Sequence, residues 1–246
     1  EEELNRQGYT CGHFPQSFEY STVGGWIAAK GAGQASTGYG KIEDMVVALK
    51  VVTPAGVIET KEFPRTAQGW DIFRLFIGSE GTLGVITEAT LHIHIFRPEN
   101  TSSAAFIFRS FEQAVETMRR MIQSEYGRPH LFRISDPDET DIAFRTSGFD
   151  NTMSDRFLKM LGFEPGKRSM MFVTVEGEKD YTEFVLKKIK QTARKGKGMY
   201  IGRSPVKKWL AQRYSSAYMR DPLMDIGIMA DTLETAVTWG KLISVW

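Results

Sequence analysis

Residues 43–60 read EDMVVALKVVTPAGVIET, two β-branched runs on either side of Thr53-Pro54-Ala55-Gly56. Proline at the second and glycine at the fourth position suit a type I turn, so this stretch predicts a hairpin. A short helix-like segment follows over 71–77, then the glycine-rich GSEGTLGVIT at 78–87 and a strand reaching about Ile95. Arg97-Pro98-Glu99-Asn100 interrupts the pattern with proline and polar residues and marks a boundary. Beyond it the period changes. Residues 104–108 form a short apolar strand, after which Phe111, Ala114, Val115, Met118, Met121 and Ile122 recur at offsets of three and four, an amphipathic helix. The same pair repeats, with a strand over 170–175 and a helix whose apolar positions are Tyr181, Phe184, Val185 and Ile189.

Two strand–helix units in one region predict an antiparallel sheet with helices on one face, as in ferredoxin-like folds. The expected architecture is α+β in two lobes, 1–97 and 98–246, the second a cap over the first. Composition adds limits. Hydrophobic residues make up 41% of the 246 and charged residues 25%, enough for a full-sized core. With 31 Lys plus Arg against 30 Asp plus Glu, the net charge of +1 argues against a nucleic-acid or membrane-surface binder. The single cysteine, Cys11, excludes an intramolecular disulfide framework and a multi-cysteine zinc site, and fits a reduced intracellular setting. No apolar run approaches the roughly 18 residues of a membrane span. The chain opens without Met on EEELNRQGY and closes on the apolar WGKLISVW, which reads as a piece of a longer polypeptide.

Candidate chemistry lies in three glycine-rich stretches: STVGGWIAAKGAG at 21–33, STGYGKIED at 36–44 and GSEGTLGVIT at 78–87. No Gly-Lys-Ser/Thr follows at Walker A spacing. Gly31-Ala32-Gly33 begins a dinucleotide fingerprint, but Ser36 stands where a third glycine is needed and no clear strand precedes it. What remains are loops whose N–H groups can collect on a pyrophosphate or the edge of a planar heterocycle, or which simply turn the chain. Composition alone does not name the ligand.

The strings themselves are more specific. SFEYSTVGGWIAAKGAG, YGKIEDMVVALKVVTPAGVIE and GSEGTLGVITEATLHI resemble the flavin-binding half of the FAD-linked oxidases of the vanillyl-alcohol oxidase type. PHLFRISD at 129–136 and SSAYMRD at 215–221 carry the likeness into the second lobe, nearest to the alkyldihydroxyacetonephosphate (alkylglycerone-phosphate) synthases of that superfamily. The resemblance implies FAD. In it, Gln16, Ser17, Phe18, Glu19, Tyr20, Ser21 and Thr22 match the segment that holds the pyrophosphate, and Ala29, Lys30, Gly31 and Ala32 match a further cofactor contact. Glu80, Gly81, Thr82, Leu83, Gly84, Val85 and Ile86 match the segment that lies against the cofactor. Glycine permits such an approach, and the hydroxyls of Ser21 and Thr22 can donate to phosphate oxygens. Arg220 matches the arginine assigned to substrate, whose guanidinium forks onto a phosphate or carboxylate; an ion pair with Asp221 is its structural alternative. Arg133 matches a cap arginine in a supporting role near the site.

The implied activity exchanges acyl for alkyl on dihydroxyacetone phosphate, the ether-forming step of ether-lipid synthesis, with the flavin trapping the substrate and undergoing no net redox change. The implied partners are a phosphate-bearing lipid substrate and a fatty alcohol, with peripheral membrane contact and a homodimer left open. The expected compartment is the cytoplasm, or the peroxisome in a eukaryote. The family places a second glycine-rich FAD loop before the matched region and catalytic histidines and a tyrosine after it, so these 246 residues alone are expected to hold FAD weakly and to be inactive. Two other readings stand beside this one. One is an FAD-dependent dehydrogenase of a D-2-hydroxy acid such as lactate or glycolate, with Arg220 on a carboxylate; the other is a non-catalytic flavin-binding or assembly module.

Three further features carry less. His92 and His94 alternate in LHIHI and are expected to face solvent, without the extra ligands of a metal site. Cys11 lies beside His13, but side chains so near in sequence rarely align for catalysis without a third group. KKIKQTARKGKG at 187–198 is expected to be a solvated helix face with a flexible exit.

Overall fold

A computed structural model describes residues 1–63, 65–229 and 231–246. The chain divides into two units, Glu1–Arg97 with Arg213–Tyr218, and Pro98–Gln212 with Met219–Trp246. The return of 213–218 to the first unit is a feature that contiguous lobes leave out.

In the first unit α1 (Glu2–Arg6) and β1 (Tyr9–Thr10) lead to three short helices, α2 (Val23–Ala28), α3 (Ser36–Tyr39) and α4 (Ile42–Met45). The hairpin follows as β2 (Val46–Thr53) and β3 (Gly56–Glu59), paired Val52↔Val57 and Thr53↔Gly56 across Pro54-Ala55. A 3-10 turn at Ile72–Leu75 precedes β4 (Val85–Leu91) and β5 (His94–Ile95). The sheet runs β3-β2-β4, all antiparallel, and β5 pairs with β1 in a separate two-stranded ribbon. The single strand expected to reach Ile95 is therefore broken. Its break falls where the His92 N–H donates to the Met45 carbonyl at 2.7 Å. The core gathers Ile27 of α2, Ile42 and Met45 of α4, and Val46, Leu49 and Val51 of β2 with Phe76.

The second unit begins with β6 (Ser102–Phe108), α5 (Phe111–Gln123), β7 (Leu131–Ser135), α6 (Pro137–Thr146) and α7 (Met153–Met160). It continues with β8 (Ser169–Val175), α8 (Lys179–Lys195), β9 (Met199–Gly202), α9 (Ser204–Gln212), α10 (Arg220–Asp225) and α11 (Leu242–Val245). The strands run β7-β8-β6-β9, all antiparallel, which is the ferredoxin-like order with α6 and α7 inserted between the middle strands.

Helices cover both faces of this sheet, and not one as the pattern suggested. Phe106, Phe108, Met171 and Val173 pack against α5 and α8, while Ala105, Ile107, Met170 and Phe172 pack against Phe144 of α6, Leu158 of α7 and Val206 of α9. The reason is legible in SSAAFIF and SMMFVTV, which lack the polar alternation of a half-exposed strand; every residue of β8 is buried. The buried face of α8 also differs from expectation. It is Thr182, Val185, Leu186, Ile189 and Ala193, with Tyr181 and Phe184 turned outward.

Candidate functional site

The first unit brings the glycine-rich segments together around α2. Residues 16–20 form a turn, and Thr22 caps α2 by accepting from the Gly25 N–H at 3.1 Å. At the other end of α2, the N–H groups of Gly78 and Glu80 donate to the Ile27 and Ala28 carbonyls at 3.0 and 2.9 Å. The 78–84 loop thus closes the helix terminus that 29–32 leaves, and it runs on into β4, whose Ile86 lies against Gly24. Segments 16–22, 29–32 and 80–86 therefore share one neighbourhood. Glu19, Tyr20, Thr22, Ala29, Lys30 and Ala32, with residues 80–83 and Val85, are exposed there.

Two residues have other duties than those the motifs suggested. The Ser21 hydroxyl donates to the Ser17 carbonyl at 2.6 Å and accepts from the Trp26 ring N–H at 2.6 Å, so its one proton is committed inside the protein. Among the described residues Thr22 only accepts, and its hydroxyl proton has no acceptor. Gly84, at φ +155°, is bare because a Cβ there would meet the Val52 carbonyl oxygen at 2.6 Å. Its neighbour is strand β2. Gly81 is the glycine with an open face: at φ +79° a Cβ would find nothing within 4 Å.

The segment 16–22 is braced from within its own unit. Phe18 stacks between Trp26 and Tyr214, and the Tyr218 hydroxyl donates to the Glu19 carboxylate at 2.7 Å. That hydrogen bond also raises the Tyr218 pKa.

His13 is the residue that sequence reasoning set aside and the structure brings forward. It is fully buried, and neither ring nitrogen has a hydrogen-bond partner among the described residues. Its ring packs 5.0 Å from Trp26, and a Cβ on Gly33 would approach Nδ1 to 3.3 Å. Burial pushes its pKa down while the Glu43 charge opposes that, so the imidazole is neutral near pH 7. Cys11 is buried beside it, a free thiol whose pKa burial pushes up. His92 and His94 lie in edge contact at 4.8 Å, with His94 half-buried against Tyr39 in place of facing solvent. Among the described residues no cluster suits a metal ion.

In the second unit Arg133 sits on β7. Its guanidinium lies 4.9 Å over Trp209 and donates to Glu139 in the first turn of α6, while its Nε is buried without a partner among the described residues. Arg220 opens α10, exposed, and among the described residues makes no ion pair with Asp221 or any other acid. Among the described residues the two arginines share no side-chain partner.

Known proteins match this arrangement at both levels. An FAD binding domain model matches residues 1–61, and the C-terminal domain model of FAD linked oxidases matches 97–246. The chain belongs to the FAD-linked oxidase family. The chain is similar to alkyldihydroxyacetonephosphate synthase of Dictyostelium discoideum, 34% identical over all of this chain and 41% of the relative. A solved structure of an alkyldihydroxyacetonephosphate synthase superposes with a TM-score of 0.86 at 34% identity, over all of this chain and 45% of that one. Mitochondrial D-lactate dehydrogenase of Arabidopsis thaliana is 41% identical, over 39% of this chain and 17% of its own. The chain thus spans under half the length of the synthases it matches.

The cofactor of the family is FAD. The residues present fit it. An exposed, glycine-bearing loop with an open face at Gly81 closes one end of α2, Thr22 caps the other, and among the described residues the buried His13 beside Gly31 has no partner at either ring nitrogen. No helix among the described residues is long and apolar enough to cross a membrane.

Proposed function

We propose that this chain is part of an FAD-dependent alkyldihydroxyacetonephosphate synthase, acting on a phosphate-bearing lipid and a fatty alcohol. The observation that carries the proposal is that the synthase likeness runs through the second unit, with Arg133 and Arg220, whereas the dehydrogenase likeness covers well under half of the chain. Substrate choice belongs to that unit.

Bound FAD supplies the ring at which acyl and alkyl exchange without net oxidation. The chain's own residues do the positioning. Thr22 donates its hydroxyl to a phosphate oxygen, and the loop at 80–83 offers backbone to the cofactor over the open face at Gly81. Arg220, exposed and without an ion pair among the described residues, forks onto the substrate phosphate. Arg133 is held by Glu139 and Trp209, which fixes the plane of its guanidinium.

The test is anaerobic flavin spectroscopy on the FAD-loaded full-length protein. Acyl-dihydroxyacetone phosphate should cause no lasting bleaching and, with fatty alcohol, should give an ether product. Immediate bleaching by D-lactate or glycolate with no ether product replaces this reading with the hydroxy-acid dehydrogenase. Bound flavin with no turnover on either class leaves a binding module.

A further inference from the structure

We propose that the second unit carries a binding groove for phosphate groups along α8, formed by Lys187, Lys190, Arg194 and Arg203. The groove encloses about 660 Å³ between α8, the residues entering β6 and the end of β9, and Lys179 lines its far end. Lys187, Lys190 and Arg194 lie three and four residues apart, so they stand on successive turns of one helix face over about 10 Å. Arg203, just beyond β9, brings a second guanidinium to the groove from a separate element. That convergence is what a solvated helix face does not require.

The charges are also left uncompensated. Five cations line the groove against two carboxylates, Glu99 and Glu183. Among the described residues none of the five makes an ion pair. Helix α5 of the same unit is built differently: Arg119 and Arg120 both close on Glu116 at 2.7 Å. Holding several unpaired cations together is unfavourable unless an anion joins them. Lys190 is further fixed by lying 4.4 Å over the Tyr200 ring, which orients its ammonium. Two guanidinium forks with two ammonium groups and nearby hydroxyls suit phosphate oxygens. Spread over about 10 Å, they suit several phosphates on a soluble oligophosphate, or headgroups at an anionic lipid surface. The groove lies wholly within residues 99–203 and is independent of the cofactor reading.

The test uses the FAD-loaded full-length protein with two probes: tripolyphosphate by calorimetric titration, and phosphatidylcholine vesicles with or without phosphatidic acid by co-sedimentation. The variant Lys187→Gln/Lys190→Gln/Arg194→Gln removes the groove charge, and Lys207→Gln/Lys208→Gln removes two exposed lysines of α9 that do not line it. The groove variant should bind at least about tenfold more weakly, with the α9 variant within about twofold of wild type. Saturable binding of tripolyphosphate identifies a soluble phosphoanion as the occupant; binding of phosphatidic acid vesicles alone identifies a lipid headgroup. Absence of binding to both probes, equal binding by the groove variant, or an equal loss in the α9 variant overturns the proposal. FAD content and melting temperature report folding; if the triple variant melts early, Arg194→Gln/Arg203→Gln carries the same comparison.

Discussion

Gly81 and Gly84 stand in one loop and are bare for different reasons, which sets up a sharp comparison. A Cβ on Gly84 would lie 2.6 Å from the Val52 carbonyl oxygen and 2.9 Å from Val51 Cγ1. Both belong to β2, whose ladder to β4 runs through Val52↔Val85 and Val51↔Ile86. Overpacking of this kind costs about 1–3 kcal/mol. The positive φ adds about 1–2 kcal/mol for a residue with a side chain. Gly84→Ala should therefore lose about 2–5 kcal/mol, or about 4–20 °C at ~2–4 °C per kcal/mol for a chain of this size. At Gly81 a Cβ meets nothing within 4 Å, so only the backbone term remains. Gly81→Ala should lose about 2–8 °C by the same conversion.

Flavin affinity separates the two further. A methyl group at Gly81 projects into the open face assigned to the cofactor, so FAD should bind about tenfold or more weakly while the protein stays folded. At Gly84 flavin loss should track unfolding, and Gly84→Val should show the same in stronger form. The assay is flavin-fluorescence titration at a temperature where wild type and Gly81→Ala are folded, beside thermal melts of all three. A Gly84→Ala protein that melts like wild type would falsify the packing argument. Undiminished FAD affinity in Gly81→Ala would move the cofactor off this loop.

Three further outcomes follow from the side chains. Arg168 is buried between Asp155 and Asp141, at 2.5 and 3.0 Å, so Asp155→Ala should cost about 3–5 kcal/mol by leaving that guanidinium half-compensated; a melting temperature unchanged within error contradicts this. Burial tends to raise the Asp155 pKa, but hydrogen bonds from Lys159, Arg168 and the Asn151 N–H hold it at about 2, so its contribution is present above 3.8 and lost only as pH falls toward that value. Burial pushes His13 and His130 below 6.5, against the Glu43 and Glu176 charges. The unfolded chain then protonates first, so their contribution is complete above 6.5 and lost as pH falls through the folded values. Denaturant midpoints should drop on acidification below 6.5, and a His13→Gln/His130→Gln variant with an unaltered slope would exclude these two groups as the cause. Arg220→Lys should raise KM for the phosphate-bearing substrate about tenfold with the flavin spectrum unchanged, because an ammonium lacks the fork; an unchanged KM removes Arg220 from the phosphate.

What was legible in the sequence was what period and turn chemistry encode locally. Thr53-Pro54-Ala55-Gly56 fixes the hairpin register by itself, and the proline at 98 ends one pattern before another begins. The faces of α8 were less legible. Tyr181 and Phe184 are as apolar as Val185, but the sheet takes Thr182, Val185, Leu186 and Ile189, because the contact stripe is set by where β6 and β8 present their side chains. A helix that is apolar over more than one stripe does not by itself declare which stripe is buried.

Motif matching and geometry answer separate questions at the three segments around α2. The segments that the strings single out, 16–22, 29–32 and 80–86, meet at α2. The strings do not assign duties among them. Ser21 and Thr22 look interchangeable as hydroxyl donors, yet a single contact from Trp26, five residues on, helps turn Ser21 inward and leaves Thr22 alone with a proton to give. The sequence around His13 offers Cys11 but no third catalytic group, so it does not mark the residue out. Its setting is made instead by Trp26, Gly31 and Gly33, which reach it only when the chain folds back after α2. A buried imidazole with neither nitrogen partnered among the described residues is costly to keep unless water or another polar group reaches it, so His13 carries more chemical information than the glycines around it.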